Sequence, residues 1–279
     1  MHTHSCSRQG DRAESLAMSD TTKRFSGRHI VVTGAGTGIG KAIALRLHAE
    51  GAQISLLARG QAALVETATE IINDGGRACV LTCDIRSKME VDRSFAQAAQ
   101  ELGPIYAVIA NSGIGGPNED GAEDRFFDLV NTNLAGTYLC LRAAQRQMDA
   151  DSGARHMVVI SSILARIGVP GYSGYCASKA GLMGLVRALA AELAPNQIQV
   201  NAVCPGWVDT QMAHNGLQGM ADAMGVSKDE AYKIAMQDVP RGKMAAPEEV
   251  AGLVAWLISN DGLGMTGQGL DLNGGAFMI

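Results

Sequence analysis

The chain has 279 residues, 47% of them hydrophobic but only 4% aromatic, so its core must be aliphatic, as in parallel sheets covered by helices rather than in aromatic-rich sandwiches. Its formal charge of −5 carries no basic patch, which excludes a nucleic-acid partner, and no apolar run reaches the roughly 18 residues that a membrane span needs. The six cysteines, at positions 6, 79, 83, 140, 176 and 204, form no C-x-x-C and no regular spacing with histidine. That pattern implies no metal site and no disulfide framework, only free thiols in a reducing cytoplasm, where the lack of a signal-peptide apolar core also places the chain.

Residues 1–24 are polar and without periodicity, and are expected to form a loose tail ahead of one domain over 25–279. From His29 the run HIVVTGAGTGIGKAIALRLHAEG reads as a buried strand, a glycine-rich turn, and a helix whose apolar Ile39, Ala42, Ile43, Leu45 and Leu47 recur at helical intervals. Gly34, Gly36, Gly38 and Gly40 let the backbone approach a pyrophosphate closely, while the helix N-terminus supplies unpaired amides and a partial positive charge. A second strand, 52–58, ends at Arg59, nineteen residues beyond Gly40. A guanidinium at that strand end forks onto a ribose 2′-phosphate where a carboxylate would repel it; a solvated loop arginine is the alternative.

A helix over 61–73 and a strand over 78–83 lead to Asp84 and Ile85, and Asp84 could also cap the next helix, 88–101. The strand 105–110 runs into Asn111, Ser112 and Gly113. Residues 124–148 carry the longest helical pattern, interrupted by Asn131, Asn133 and Gly136, all poor interior helix formers, and such a local violation marks a functional site. Asn131 is read as exposed. The apolar run His156 to Ile160 ends near Ser162, and from Ser173 a helix places Tyr175 and Lys179 one turn apart on one face. A held ammonium beside a phenol favours the phenolate and is expected to lower the Tyr175 pKa toward neutrality, which makes the pair a proton-transfer device. Taken alone, a Tyr-x-x-x-Lys pair also occurs as a half-buried ring beside a solvated lysine.

Ser162, Tyr175 and Lys179, together with Thr33 and the Gly-x-x-x-Gly-x-Gly turn, resemble the short-chain dehydrogenase/reductase family, and the likeness extends over about nine-tenths of the chain. The resemblance implies an α/β fold, a Rossmann-like doubly wound parallel β-sheet with helices on both faces. It implies an enzyme that transfers hydride between a nicotinamide and a ketone or secondary alcohol, with Asn133, Ser162, Tyr175 and Lys179 as the catalytic group. In that group Tyr175 is the acid/base, Ser162 binds the same oxygen, Lys179 tunes the phenol and holds the ribose, and Asn133 helps hold a relay water. The cofactor contacts it implies are Gly34, Gly36, Thr37, Gly38, Ile39, Arg59, Asp84, Ile85, Asn111, Gly113, Tyr175, Lys179, Pro205, Gly206, Val208 and Thr210. Arg59, with Ala58 where NAD-using relatives carry aspartate, favours NADP (NADPH) over NAD. The family's Asn-Asn-Ala-Gly reads Ala110-Asn111-Ser112-Gly113 here, which puts sheet stabilisation in question rather than chemistry. Relatives pack the Asn133 and Tyr175 helices across a dimer axis, so a homo-oligomer, dimer or tetramer, is expected.

Substrate choice lives in the segment 211–238, rich in methionine (Met212, Met220, Met224, Met236), which suits an adaptable apolar lid or a helical hairpin with a methionine core. The small-molecule partner is a carbonyl or alcohol, with a 3-oxoacyl thioester or polyketide ketone as the alternative substrate. A rival of another class is a regulator that senses NADP without turnover, against which the presence of Tyr175 and Lys179 together argues.

Overall fold

A computed structural model describes residues 23–118, 120–150 and 153–278. Seven parallel strands form one sheet in the order β3-β2-β1-β4-β5-β6-β7. They are β1 (His29–Thr33), β2 (Gln53–Ala58), β3 (Ala78–Thr82), β4 (Ile105–Ala110), β5 (Arg155–Ile160), β6 (Ile198–Pro205) and β7 (Gly269–Leu272). The strands between them are linked by α1 (Gly38–Ala49), α2 (Gln61–Asn73), α3 (Lys88–Leu102), α4 (Phe126–Val130), α5 (Thr137–Gln145), α6 (Ser173–Leu193), α7 (Gln211–Met224), α8 (Lys228–Gln237) and α9 (Pro247–Leu257).

The strands are apolar almost throughout because both faces of the sheet are covered. Alternate residues divide between two cores. Ile30 and Val32 pack with Ile43, Leu47, Leu64 and Val254 from α1, α2 and α9. Val31 and Val108 pack with Phe95, Leu141 and Leu189 from α3, α5 and α6. The order reverses beside β1, whose neighbours are β2 and β4, and in doubly wound sheets the crevice at the carboxyl ends beside such a reversal is where ligands lie. The glycine turn after β1 and the Asn111–Gly113 segment after β4 flank it.

Two readings of the sequence are corrected. The pattern 124–148 is not one helix: α4 passes into a single π turn, Asn131–Gly136, before α5. The extra residue of the wider turn lets Asn133 point inward, and Gly136 lies where a Cβ would meet the Ile85 side chain at 2.9 Å. Asn131 is exposed, in agreement with its reading. The segment 211–238 is a hairpin of α7 and α8, capped by Thr210 and by a Ser227–Glu230 capping box, and of its four named methionines only Met236 enters its buried core. Its small core joins Leu217, Met236, Val239 and Met244, while Met212 and Met224 are about half exposed, at 50% and 48%.

Phe25 is buried, and Arg24, at the end of the expected tail, forks onto Glu50 at 2.6 and 2.9 Å. The rest of that tail, residues 1–22, lies outside the described residues. Among the described residues five cysteines are free, no cluster of His, Cys, Asp or Glu could hold a metal ion, and no helix is long and apolar enough to cross a membrane.

Candidate active site

The cradle is built from the backbone. Thr37 precedes α1 in an extended conformation and its hydroxyl makes no capping bond, so the first-turn amides keep their positive end free of a side-chain acceptor. Gly38 adopts φ 52°, and a Cβ on Gly40 would lie 2.1 Å from the Gly34 carbonyl oxygen, so turn and helix touch through backbone alone. That close, side-chain-free approach with unpaired amides is what a pyrophosphate requires, and the residues present fit it. Gly34, Gly36 and Thr37 form the turn itself, and Ile39 packs half-buried on the core.

Ala110, in place of the family's first asparagine, is buried in β4. Beside it the end of β4 is held by Thr33, whose Oγ1 accepts from the amides of Asn111 at 3.0 Å and Ser112 at 2.9 Å. Asn111 Nδ2 donates to the Thr33 carbonyl at 2.9 Å and the Gly34 carbonyl at 3.3 Å, so the end of β4 is fastened to the glycine turn. Thr33 was legible only as the residue before the turn; its place beside the end of β4 is a consequence of the strand order.

Beyond the turn a cleft is lined by Gly34, Ala58, Arg59, Asp84, Ile85 and Gly113 among others. Arg59 is exposed at its rim, next to Gly60, which precedes α2 without a capping side chain. Asp84 is held below the ordinary carboxylate range, first by a hydrogen bond from Arg86, with the two side chains paired at 2.7 Å, and in part by the charge of Arg59. Arg86, not singled out in the sequence, therefore shares this cleft. The alternative reading of Asp84 as a helix cap is corrected, since Ser87 caps α3 by accepting from the Glu90 amide. Opposite, Gly206 donates to the Leu272 carbonyl at 3.0 Å just after Pro205 ends β6. Val208 bridges to Ala245, and the Thr210 methyl would lie 3.1 Å from a Cβ on Gly38, which sets this segment against the glycine turn.

The polar cluster sits where β5 and α6 converge. Ser162 ends the β5 approach, is 8% exposed, and accepts from the Leu164 amide at 3.1 Å; its hydroxyl is near enough to the half-buried Tyr175 phenol to favour the phenolate. Lys179, one turn along α6, is 5% exposed; its Nζ donates to the Ile160 carbonyl at 3.0 Å and stands 5.5 Å from the centre of the Tyr175 ring. Asn133 Oδ1 accepts from the Ile114 amide at 2.8 Å, and its Nδ2 donates to the Ile114 carbonyl at 3.0 Å and to Ser178 Oγ at 3.1 Å. Asn133 and Lys179 both face Gly113, where a Cβ would lie 3.0 Å from Asn133 Oδ1 and 3.6 Å from Lys179 Nζ. Asn133 and Lys179 thus meet at Gly113, and Lys179 lies beside Tyr175.

Their protonation differs from the sequence expectation. Burial pushes the Tyr175 phenol up to about 12 although the Ser162 hydroxyl nearby favours its phenolate, and burial brings the Lys179 ammonium down to about 8. At neutral pH the phenol is a proton donor and the lysine still carries most of its charge. The ammonium does not dominate the phenol because desolvation acts on both groups, and a sequence holds no record of burial.

This sheet, cradle and cluster define a nucleotide-dependent oxidoreductase fold with an acid/base site at the strand ends. Residues 34–276 match the family model described as Enoyl-(Acyl carrier protein) reductase. A short-chain dehydrogenase/reductase of Armillaria gallica is 34% identical over 259 residues, covering 91% of this chain and 98% of its own. The 3-oxoacyl-[acyl-carrier-protein] reductase of Pseudomonas aeruginosa is 33% identical over 256 residues, covering 91% of this chain and 99% of its own. The crystal structure of a variant actinorhodin polyketide ketoreductase with NADPH superposes with a TM-score of 0.86 at 36% identity, covering 91% of this chain and 98% of that one. The chain belongs to the short-chain dehydrogenase/reductase family.

Proposed function

We propose that this protein is an NADP(H)-dependent reductase of ketones, in which Tyr175 gives a proton to the carbonyl oxygen as hydride reaches the carbon. The observation that supports this reading is the cluster at the start of α6, in which the buried Lys179 ammonium stands 5.5 Å from the Tyr175 ring beside Ser162 and burial keeps the phenol protonated at neutral pH. A neutral phenol is what reduction consumes, and a second donor on the same oxygen stabilises charge that develops there. Ser162 holds the oxygen, Lys179 keeps positive charge beside the proton donor and binds ribose, and Asn133 orders a relay water from its place on the π turn. The nicotinamide, when bound, supplies the hydride. The turn from Gly34 to Ile39 holds the pyrophosphate, Asp84 and Ile85 the adenine, Asn111 and Gly113 the ribose side, and Pro205, Gly206, Val208 and Thr210 the carboxamide. Arg59 takes the 2′-phosphate, so NADPH is preferred over NADH.

Residues 25–279 act as one domain. A cytoplasmic homo-oligomer, dimer or tetramer, completes the reading, supported by exposed Phe127 and Tyr138, at 74% and 43%, on α4 and α5. The second reading is reduction of a 3-oxoacyl thioester or polyketide ketone, supported by what the Pseudomonas and actinorhodin relatives are named for. The test is steady-state NADPH oxidation against simple ketones, cyclic ketones and 3-oxoacyl thioesters. Turnover of at least one class is expected; NADPH binding without turnover of any would favour a sensor and overturn the proposal.

A further inference from the structure

The loop from Ile114 to Arg125, between β4 and α4, is tied down at three places. Asn133 grips both backbone groups of Ile114, and Arg125 Nη2 donates to the Gly115 carbonyl at 3.3 Å. The third tie is Asn118, and it reaches the helix that carries Tyr175.

Helix α6 starts without a cap of its own. Tyr172 occupies the capping position, and its side chain cannot accept from the first-turn amides. Asn118 supplies the missing acceptor from 56 residues away: its Oδ1 accepts from the Gly174 amide at 2.7 Å and from Ser173 Oγ at 3.2 Å. Its Nδ2 stands 3.0 Å from Ser173 Oγ and donates to Asp124 Oδ1 at 3.2 Å, while the Asn118 amide donates to the Gly171 carbonyl at 2.9 Å. Asp124 Oδ1 in turn accepts from the Phe126 amide at 2.9 Å, where α4 begins. Loop and helix are in van der Waals contact here, since a Cβ on Gly174 would lie 3.0 Å from Phe126 Cα and 3.2 Å from Asn118 Oδ1. The residue after this capped amide is Tyr175.

We infer that Asn118 is a positioning residue for Tyr175: it caps the first turn of α6 from the β4–α4 loop, so the phenol is set for proton transfer only while that loop is docked. The inference rests on the assignment of Tyr175 as the acid. The loop whose Ile114 lines the cleft is thereby tied to the helix of the proton donor through one side-chain carbonyl.

The test compares wild type, Asn118→Ala, and the exchanged pair Asn118→Asp with Asp124→Asn. The exchanged pair keeps an acceptor on Gly174 and a donor between the two side chains. Each protein is measured for kcat and KM with NADPH and the best carbonyl substrate, and for amide exchange in the segment 172–180. A cap is worth about 0.5–2 kcal/mol, which at 1.4 kcal/mol per decade is about 2- to 30-fold. Asn118→Ala should lower kcat by about that factor with the KM for NADPH unchanged, and should speed exchange at Gly174 and Tyr175. The exchanged pair should recover both. Wild-type kcat or wild-type exchange in Asn118→Ala overturns the inference, as does an exchanged pair that recovers exchange but not kcat. If wild type turns over no carbonyl, the proposed function fails by itself, and unchanged exchange in Asn118→Ala would still overturn the cap.

Discussion

At the scale of single residues, the protonation states set the pH behaviour. Lys179, brought down to about 8 by burial, is charged below that pH and neutral above it, whereas Tyr175, pushed up to about 12, stays protonated across the whole range. Reductive kcat/KM is therefore expected to hold steady at neutral pH and to fall as pH rises through about 8, following the lysine and not the tyrosine; a profile flat to pH 10 would show that the ammonium is dispensable. Arg59 makes a second residue-scale prediction. Charge-assisted hydrogen bonds of roughly 1.5–3 kcal/mol to a 2′-phosphate correspond to about 10- to 150-fold in affinity. Arg59 is exposed at the cleft rim, and its replacement by Ala should weaken NADPH by that factor and leave NADH unchanged, while Ala58→Asp should shift preference further toward NADH. Equal effects on both cofactors in binding titrations would reduce Arg59 to a surface charge. The adjacency of Tyr175 and Lys179 was legible from helix spacing, whereas Asn133 stood out by a break in the helical pattern and by resemblance. The direction of the Tyr175 shift was not legible, because it depends on burial.

At the scale of elements, Thr33 is the joint between β1 and β4, accepting from two amides at the point where the family's first asparagine is replaced by Ala110. Thr33→Val keeps the shape and removes the acceptor, leaving the Ser112 amide near the switch point unpaired and the Asn111 amide with the Ile109 carbonyl at 3.1 Å, at a cost of roughly 1–3 kcal/mol. Thermal unfolding should show a lower Tm with NADPH affinity also reduced, because Asn111 and the glycine turn move together; an unchanged Tm would mean the amides find other partners. The helix over 61–73 and the strand over 105–110 were read from the sequence with the bounds that the structure has, since period and flanking glycine or proline agree there. The π turn was not legible. Asn131, Asn133 and Gly136 signalled a break in the helix, but the wider turn exists because Asn133 meets Ile114 and Gly136 meets Ile85, both distant in sequence. The α7–α8 hairpin was one of the two readings of its segment, but which methionine is buried was not legible: Met236 packs with Val239 and Met244, the latter two outside the segment.

At the scale of the whole molecule, the start of the domain is anchored by Glu50, which receives Arg24 and Arg46 each at 2.6 Å with its own side chain 8% exposed. Burial works to raise that carboxyl above its ordinary 4.5, but the two arginine hydrogen bonds prevail and hold it lower. A carboxylate lowered on folding adds stability above its unfolded pKa and loses it as pH falls through the folded value. Glu50→Gln should accordingly cost about 1–2 kcal/mol at neutral pH, a few degrees of Tm for a domain of this size, and the gap to wild type should close in acid. A gap independent of pH would assign the effect to packing. The sheet order and the alternation of its two cores bring the cradle, the Arg59 cleft and the Tyr175 cluster to one edge, and the account stands or falls on those parts working as one reductase. The direct measurement uses NADPH deuterated at the carbon that gives up hydride, with the best ketone from the panel, in wild type and Tyr175→Phe. The account predicts deuterium on the carbinol carbon in wild type, and in Tyr175→Phe a turnover lower by about 10²–10⁴-fold with NADPH still bound. Undiminished transfer in Tyr175→Phe, or an alcohol without deuterium, would contradict it.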